Sequence, residues 1–125
     1  MKIGFIPALV STFLINKIGE NNTRELLLTG QTIDAKKAKA IGLINYIYNS
    51  DNIDEEISKL TTHIANNISK KSIAETKKMM YTWLDLNNKL EKAAEFNAKN
   101  RKTSDFKKGI SGFLNKNSVN WNTNI

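Results

Sequence analysis

Met1-Lys2-Ile3-Gly4-Phe5-Ile6-Pro7-Ala8-Leu9-Val10 is the stretch on which the reading of the whole chain turns. Gly-x-x-Pro makes a tight loop: glycine accepts backbone angles closed to other residues, and proline presets φ for a first helical position while giving up an N–H that a helix start leaves unpaired. Beyond the loop Leu9, Val10, Phe13, Leu14 and Ile18 recur at helical spacing until Gly19, which predicts a short helix with one buried face. The loop stands at the start of the sequence. The chain is therefore expected to be the later part of a larger fold, with the groups that would work beside the loop lying ahead of it.

Working outward, Asn22 or Thr23 caps a second predicted helix that runs through Leu26, Leu27 and Leu28 to Gly30. Asp34 caps a third, residues 35–41, whose alanines are expected to face inward, with Gly42 as its stop. The run Leu43-Ile44-Asn45-Tyr46-Ile47-Tyr48 has the β-branched and aromatic content of a strand, and it is the only such run. A single strand leaves its backbone donors and acceptors unmet, so its partners are expected in other sequence or another chain.

The remainder reads as helix. Ile53, Ile57, Leu60, Ile64 and Ile68 step by three or four, and Ser72 is expected to cap a segment with Ile73, Met79, Met80, Trp83 and Leu84 as core. Leu86 to about Arg101 predicts a further helix, and Ser104-Asp105-Phe106 starts a last one with Ile110, Phe113 and Leu114 on one face. The polar tail from Asn115 to Ile125 is expected to fray. The organisation is α/β but mostly helical: a mixed portion over residues 1–50, then a helical portion over residues 51–125.

Composition bounds the function. There is no cysteine, which excludes disulfides, thiolate metal sites and thiol nucleophiles. The net charge of +7 invites nucleic acid as a partner, yet only Arg24 and Arg101 are arginines and the lysines are spread along the helices, so no specific nucleic acid is expected. The apolar stretch from Ile3 to Ile15 is too short to span a bilayer and is broken by Pro7, so no membrane is expected and the cytoplasm is the expected compartment. His63 is the single histidine and borders an apolar helical stripe with no acid or nucleophile converging on it, which reads as a packing or boundary residue. Asp54, Glu55, Glu56, Glu91 and Glu95 fall on polar helix faces. No metal site, phosphate loop or dinucleotide fingerprint is present.

Taken together, Gly4-Phe5-Ile6-Pro7-Ala8, Lys17-Ile18-Gly19, Arg24-Glu25-Leu26-Leu27-Leu28-Thr29-Gly30, Ala35-x-x-Ala38-x-x-Ile41-Gly42-Leu43-Ile44-Asn45, Lys77 and Ser104-Asp105-Phe106-x-x-Gly109-Ile110-x-x-Phe113-Leu114 resemble the enoyl-CoA hydratase/isomerase, or crotonase, family. The pieces cover nearly the whole chain and match the C-terminal half of the family's module; the opening most resembles the branch containing methylglutaconyl-CoA hydratases. The resemblance implies the last turn of a ββα spiral followed by a helical segment that builds trimers or hexamers. It implies an acyl-CoA substrate, with CoA as part of the substrate and no separate cofactor, and two backbone N–H groups that polarise the thioester carbonyl. In the hydratases two glutamates handle water and its proton. The first belongs to the absent half, and the second would lie four residues before Gly4, ahead of Met1. No catalytic residue is thus expected within the chain, which alone is expected to be inactive.

By the same resemblance Gly4, Pro7 and Ala8 form the active-site loop, Ala8 standing where dienoyl-CoA isomerases carry an acid. Phe113 and Lys116 match terminal-helix positions that help hold the nucleotide end of CoA on a neighbouring subunit. Past Lys116 the family's basic, proline-containing stretch is replaced by Asn117-Ser118-Val119-Asn120. Expected partners are further copies of the chain or the N-terminal half of the same enzyme. A non-catalytic assembly or binding module is the alternative, and a basic nucleic-acid binder the remote one.

Overall fold

The computed structural model describes residues 3–122. Six helices follow in order: α1 (Ala8–Thr29), α2 (Ala35–Ala40), α3 (Ile53–Asn67), α4 (Lys70–Trp83), α5 (Leu86–Asn100) and α6 (Ser104–Leu114). They divide into two compact units, one of residues 1–33 and 87–125, the other of residues 34–86. The sequence division at residue 50 separates types of element, whereas these units separate by contact.

In the first unit α1 is two helical pieces joined at Gly19, whose φ of 74° and ψ of 168° leave the helical region altogether. The predicted stop at Gly19 is thus a sharp bend. Gly30, left-handed at φ 60°, then closes the second piece, its N–H returning to the Leu26 carbonyl. Ile18 on α1 and Ala93 on α5 are the buried apolar residues of this unit, and Thr23, only 2% exposed, lies inside with its hydroxyl unpaired.

The second unit begins with the predicted cap: the Lys37 N–H donates to Asp34 Oδ1 at 2.7 Å. Only Ala38 of the α2 alanines is buried; Ala35 and Ala40 are exposed, because a helix of six residues turns just one narrow face inward. The segment 43–48 is not a strand, and no strand forms among the described residues. Its first N–H groups instead finish α2, those of Leu43 and Ile44 both donating to the Ala38 carbonyl at 2.8 and 3.4 Å. Further along, Tyr46 and Tyr48 stack with ring centroids 5.8 Å apart, as residues two apart do on extended backbone. The residue types are those of a strand, but a strand needs a neighbour to take its ladder bonds, and the described residues supply none.

α4 begins three residues earlier than expected, since Ser69 and not Ser72 caps it by accepting the Ser72 N–H at 3.3 Å. The expected core positions on α3 and α4 are open: Leu60 and Ile64 are 41% and 37% exposed, and Met79, Met80 and Trp83 are more than two-fifths exposed. His63 is exposed too, with the Asn67 amide 3.3 Å from its Nδ1 and no acid recorded beside it among the described residues.

Candidate functional site: a glycine-seated loop and an apolar groove

The loop expected to carry the site is held on α6 by two glycines. A Cβ on Gly4 would fall on the backbone carbonyl of Asp105, and one on Gly109 would fall on the carbonyl of Ile3. The loop and the helix therefore approach backbone to backbone, which only residues without side chains permit. Gly4 has a second reason to be glycine, its φ of 67°. Next to this seat the Phe5 and Phe106 rings lie 6.3 Å apart and tilted by 50°. The Ile6 N–H donates to Asn100 Oδ1 at 3.3 Å, which pins the loop to the C-terminal end of α5. Pro7 then starts α1, its carbonyl accepting the Ser11 N–H at 3.0 Å.

From this loop a groove of about 570 Å³ runs between α1 and α5. Pro7 and Ala8 lie at its loop end; Ser11, Thr12 and Ile15 line one wall, and Lys89, Lys92, Ala93 and Phe96 the other. Leu27 and Leu28 complete it. The bend at Gly19 makes that possible: in a straight helix Leu28 would lie about 18 Å beyond Asn16, whereas here both border one cavity. The hydroxyls of Ser11 and Thr12 are committed to the Ala8 and Leu9 carbonyls, at 2.7 Å each. The lining contains no aspartate, glutamate or histidine. What it offers is mainly apolar surface, with two lysines among the residues that border it.

Phe113 lies four residues beyond Gly109, one turn along α6, and is 63% exposed. Lys116 is also exposed and ends the helix in an uncommon way. The Lys116 N–H returns to the Phe113 carbonyl at 3.1 Å and the Asn117 N–H to the Gly112 carbonyl at 2.8 Å, the two bonds of a Schellman closure. The left-handed position in that closure, usually glycine, is Lys116 at φ 55°. Gly4, Pro7 and Ala8 thus meet at the loop, while Phe113 and Lys116 form a separate exposed end of α6.

The residues from Asn115 to Ile125 were expected to fray, and up to Asn122 they are tied back; those from Thr123 to Ile125 lie outside the described residues. A Cβ on Gly112 would fall on the Val119 side chain. Lys108 Nζ donates to the Asn120 carbonyl at 2.8 Å and lies 5.7 Å from the centre of the Trp121 ring. Composition alone suggested a loose tail here. The signal that could have found the strap is the pair Val119 and Trp121, apolar residues spaced to meet the small Gly112 and the lysine one turn before it.

The family model for enoyl-CoA hydratase/isomerase matches residues 1–124. The chain is 38% identical over 118 residues to a putative enoyl-CoA hydratase of Thermus thermophilus, covering 93% of this chain and 46% of that protein. It is 36% identical over 66 residues to a short-chain-enoyl-CoA hydratase of Clostridioides difficile, covering 52% of this chain and 43% of that one. Among solved structures, an enoyl-CoA hydratase from Mycobacterium avium superposes with a TM-score of 0.81 at 29% identity, over 96% of this chain and 47% of the other. A carnitinyl-CoA hydratase from the same species, at 24% identity and a TM-score of 0.83, shows the fold alone. The fold and the loop define the helical C-terminal part of a crotonase fold. The chain belongs to the enoyl-CoA hydratase/isomerase family, and it spans about half the length of the relatives it matches.

Proposed function

We propose that this chain forms the helical, CoA-facing part of an acyl-CoA enzyme, supplying binding surface and scaffold while the proton-transferring groups come from other sequence. The observation that carries this reading is the seated Gly4-x-x-Pro7 loop opening onto a groove with no carboxylate or imidazole in its lining. Gly4, Pro7 and Ala8 form the loop end of the acyl site, and Phe113 and Lys116 contact the nucleotide end of CoA. A lysine suits phosphate because its ammonium is a compact point charge on a flexible stem. The named relatives support a hydratase, and the likeness of the opening to the methylglutaconyl-CoA hydratase branch makes methylglutaconyl-CoA the first acyl group to try.

With no carboxylate or imidazole in the groove lining, the 125 residues alone should not hydrate crotonyl-CoA. The decisive measurement follows loss of the enoyl-thioester absorbance, first with the purified chain and then with the chain combined with the N-terminal segment of a family member. Turnover by the chain alone that survives repeated purification and disappears with a Gly4→Val substitution would refute the reading.

A second reading, assembly, is favoured by one observation. Ile53, Ile57, Leu60 and Ile64 form an apolar stripe along one face of α3, with Ile68 just past its end, and each is more than a third exposed. Such a stripe is stabilised when covered, by the remainder of a longer polypeptide or by neighbouring subunits in a trimer or hexamer. Light scattering tests it directly: a chain that stays monomeric both alone and with an N-terminal partner segment would count against it.

A further inference from the structure

Phe113 and Lys116 are joined by the closure of α6. The Lys116 N–H returns to the Phe113 carbonyl and the Asn117 N–H to the Gly112 carbonyl, so the closure fixes where Lys116 leaves the helix relative to Phe113. It does so at a left-handed residue that is not glycine, with φ 55°. A lysine there carries a steric penalty that glycine escapes, and it persists only where its surroundings over-determine it. The Lys116 side chain does not repay that penalty, since it makes no hydrogen bond or ion pair among the described residues.

The chain beyond Lys116 does. From Asn117 the backbone doubles back along α6, and residues earlier in the helix hold it there. Val119 covers Gly112, where a Cβ would fall on its side chain. One turn earlier, Lys108 Nζ donates to the Asn120 carbonyl at 2.8 Å and stands 5.7 Å from the centre of the Trp121 ring. The Asn122 N–H donates to Asn120 Oδ1 at 2.9 Å, which keeps the end of the strap turned in. These contacts hold the backbone on the far side of Lys116 while leaving its ammonium to meet something else.

We infer that Gly112, Val119 and Lys108 are positioning residues for the nucleotide contact. They strap residues 117–122 onto α6, keep Lys116 left-handed beside Phe113, and so set the affinity for the CoA phosphates without touching the ligand. This rests on the proposed role of Phe113 and Lys116 at the nucleotide end of CoA. The strap itself rests on the contacts just described.

The test turns on Gly112→Ala, which changes no charge and favours the helix, so that it unseats the strap without unfolding α6. Amide exchange at Lys116 and Asn117 is expected to speed by about threefold to tenfold. CoA, followed by backbone amide shifts on the chain alone and combined with the N-terminal segment of a family member, should bind about twofold to fivefold more weakly. Adding Val119→Ala should reverse both changes. The new Cβ would then face the Cβ of residue 119 at 3.8 Å, an ordinary contact, and the Asn117 carbonyl oxygen at 3.2 Å, which asks for a small shift only. Lys108→Met keeps the apolar stem but removes the catch, and should speed exchange at Asn117 by about twofold to fivefold. Loss of a general structural role would not be restored by a second truncation, so the rescue is the decisive reading.

Lys116→Ala separates the two claims. If it weakens CoA while Gly112→Ala leaves either the exchange or the CoA affinity at the wild-type value, the inference falls and the nucleotide role of Lys116 stands. Failure of Val119→Ala to restore the Gly112→Ala variant also overturns the inference. If CoA does not bind, or Lys116→Ala binds it as tightly as the wild type, the nucleotide role itself falls and takes the inference with it.

Discussion

Lys116 carries two roles that a substitution can pull apart, because its backbone and its side chain push in opposite directions. At φ 55° it holds the left-handed place in the closure of α6, where a side chain crowds the following carbonyl at a cost of about 1–2 kcal/mol. Glycine removes that cost but enlarges the freedom of the unfolded chain, returning somewhat less than 1 kcal/mol, so Lys116→Gly should raise stability by about 0.5–1 kcal/mol. Lys116→Ala leaves the backbone crowding in place and should be close to neutral. Both substitutions remove the ammonium. If it meets a CoA phosphate at an exposed site, each should weaken CoA by about twofold to tenfold, as expected for one charge-assisted contact screened by water. Thermal or denaturant unfolding gives the first quantity, and calorimetric titration with CoA the second, on the chain combined with whatever partner segment confers binding. Equal stability of the alanine and glycine variants would refute the backbone argument. Unchanged CoA affinity in both would refute the nucleotide role, even if the stability difference appeared as expected.

Gly109→Ala should cost about 1–3 kcal/mol and speed amide exchange at Gly4 and Phe5, since the new methyl falls on the Ile3 carbonyl; a variant with wild-type exchange at the loop would show that the seat yields freely. Thr23→Val should stabilise by roughly 1 kcal/mol, because it replaces a buried hydroxyl that has no hydrogen-bond partner with a methyl of the same shape; a loss of stability in denaturant unfolding would mean the hydroxyl is satisfied. Ser69→Ala should cost about 1 kcal/mol of cap energy, visible as reduced protection at Ser72, while Ser72→Ala should cost little. The hydrogen bonds from Lys59 to Glu55 and then to Glu56, with the charge of Glu56, hold the ammonium pKa above the ordinary lysine value. Their contribution to α3 is therefore complete below that ordinary value and fades as pH rises through the raised one. Helicity of α3 that stayed flat across that alkaline range would contradict this, although the effect is small for a fully exposed pair.

Much of the local structure is legible in residue type because the interactions that decide it are short. Asp34 meets the Lys37 N–H three residues on, Gly19 and Gly30 stand where a helix must bend or stop, and each is settled within one turn. Ser69 and Ser72 show the limit of the same argument: both are good caps, and the choice between them depends on whether Lys70 and Lys71 join the helix, which neither side chain dictates. The loop is legible as a loop, but the reason for its two glycines is not. Gly4 and Gly109 are separated by most of the chain, and only the close approach of α6 to the loop explains why neither tolerates a Cβ.

The groove and the exposure of the stripe on α3 were hidden for a different reason. Leu28, Ala93 and Phe96 are individually ordinary residues on amphipathic helices, and nothing short-range marks them as walls of one cavity. Their meaning comes from the bend at Gly19, which turns Leu27 and Leu28 back towards the wall that α5 presents. Periodicity, by contrast, correctly places Ile53, Ile57, Leu60 and Ile64 on one helical face, although Ile68 falls just past the helix in extended backbone, and then invites the step from apolar face to buried core. That step needs a covering surface. The strand-like run at residues 43–48 makes the same demand in hydrogen bonds: pattern specifies what an element requires of its neighbour, and the described residues leave both requirements open. Any surface that covered both elements would have to offer ladder partners to one and apolar side chains to the other. A single added segment that protects the amides of residues 43–48 and also slows exchange along α3 would satisfy both at once.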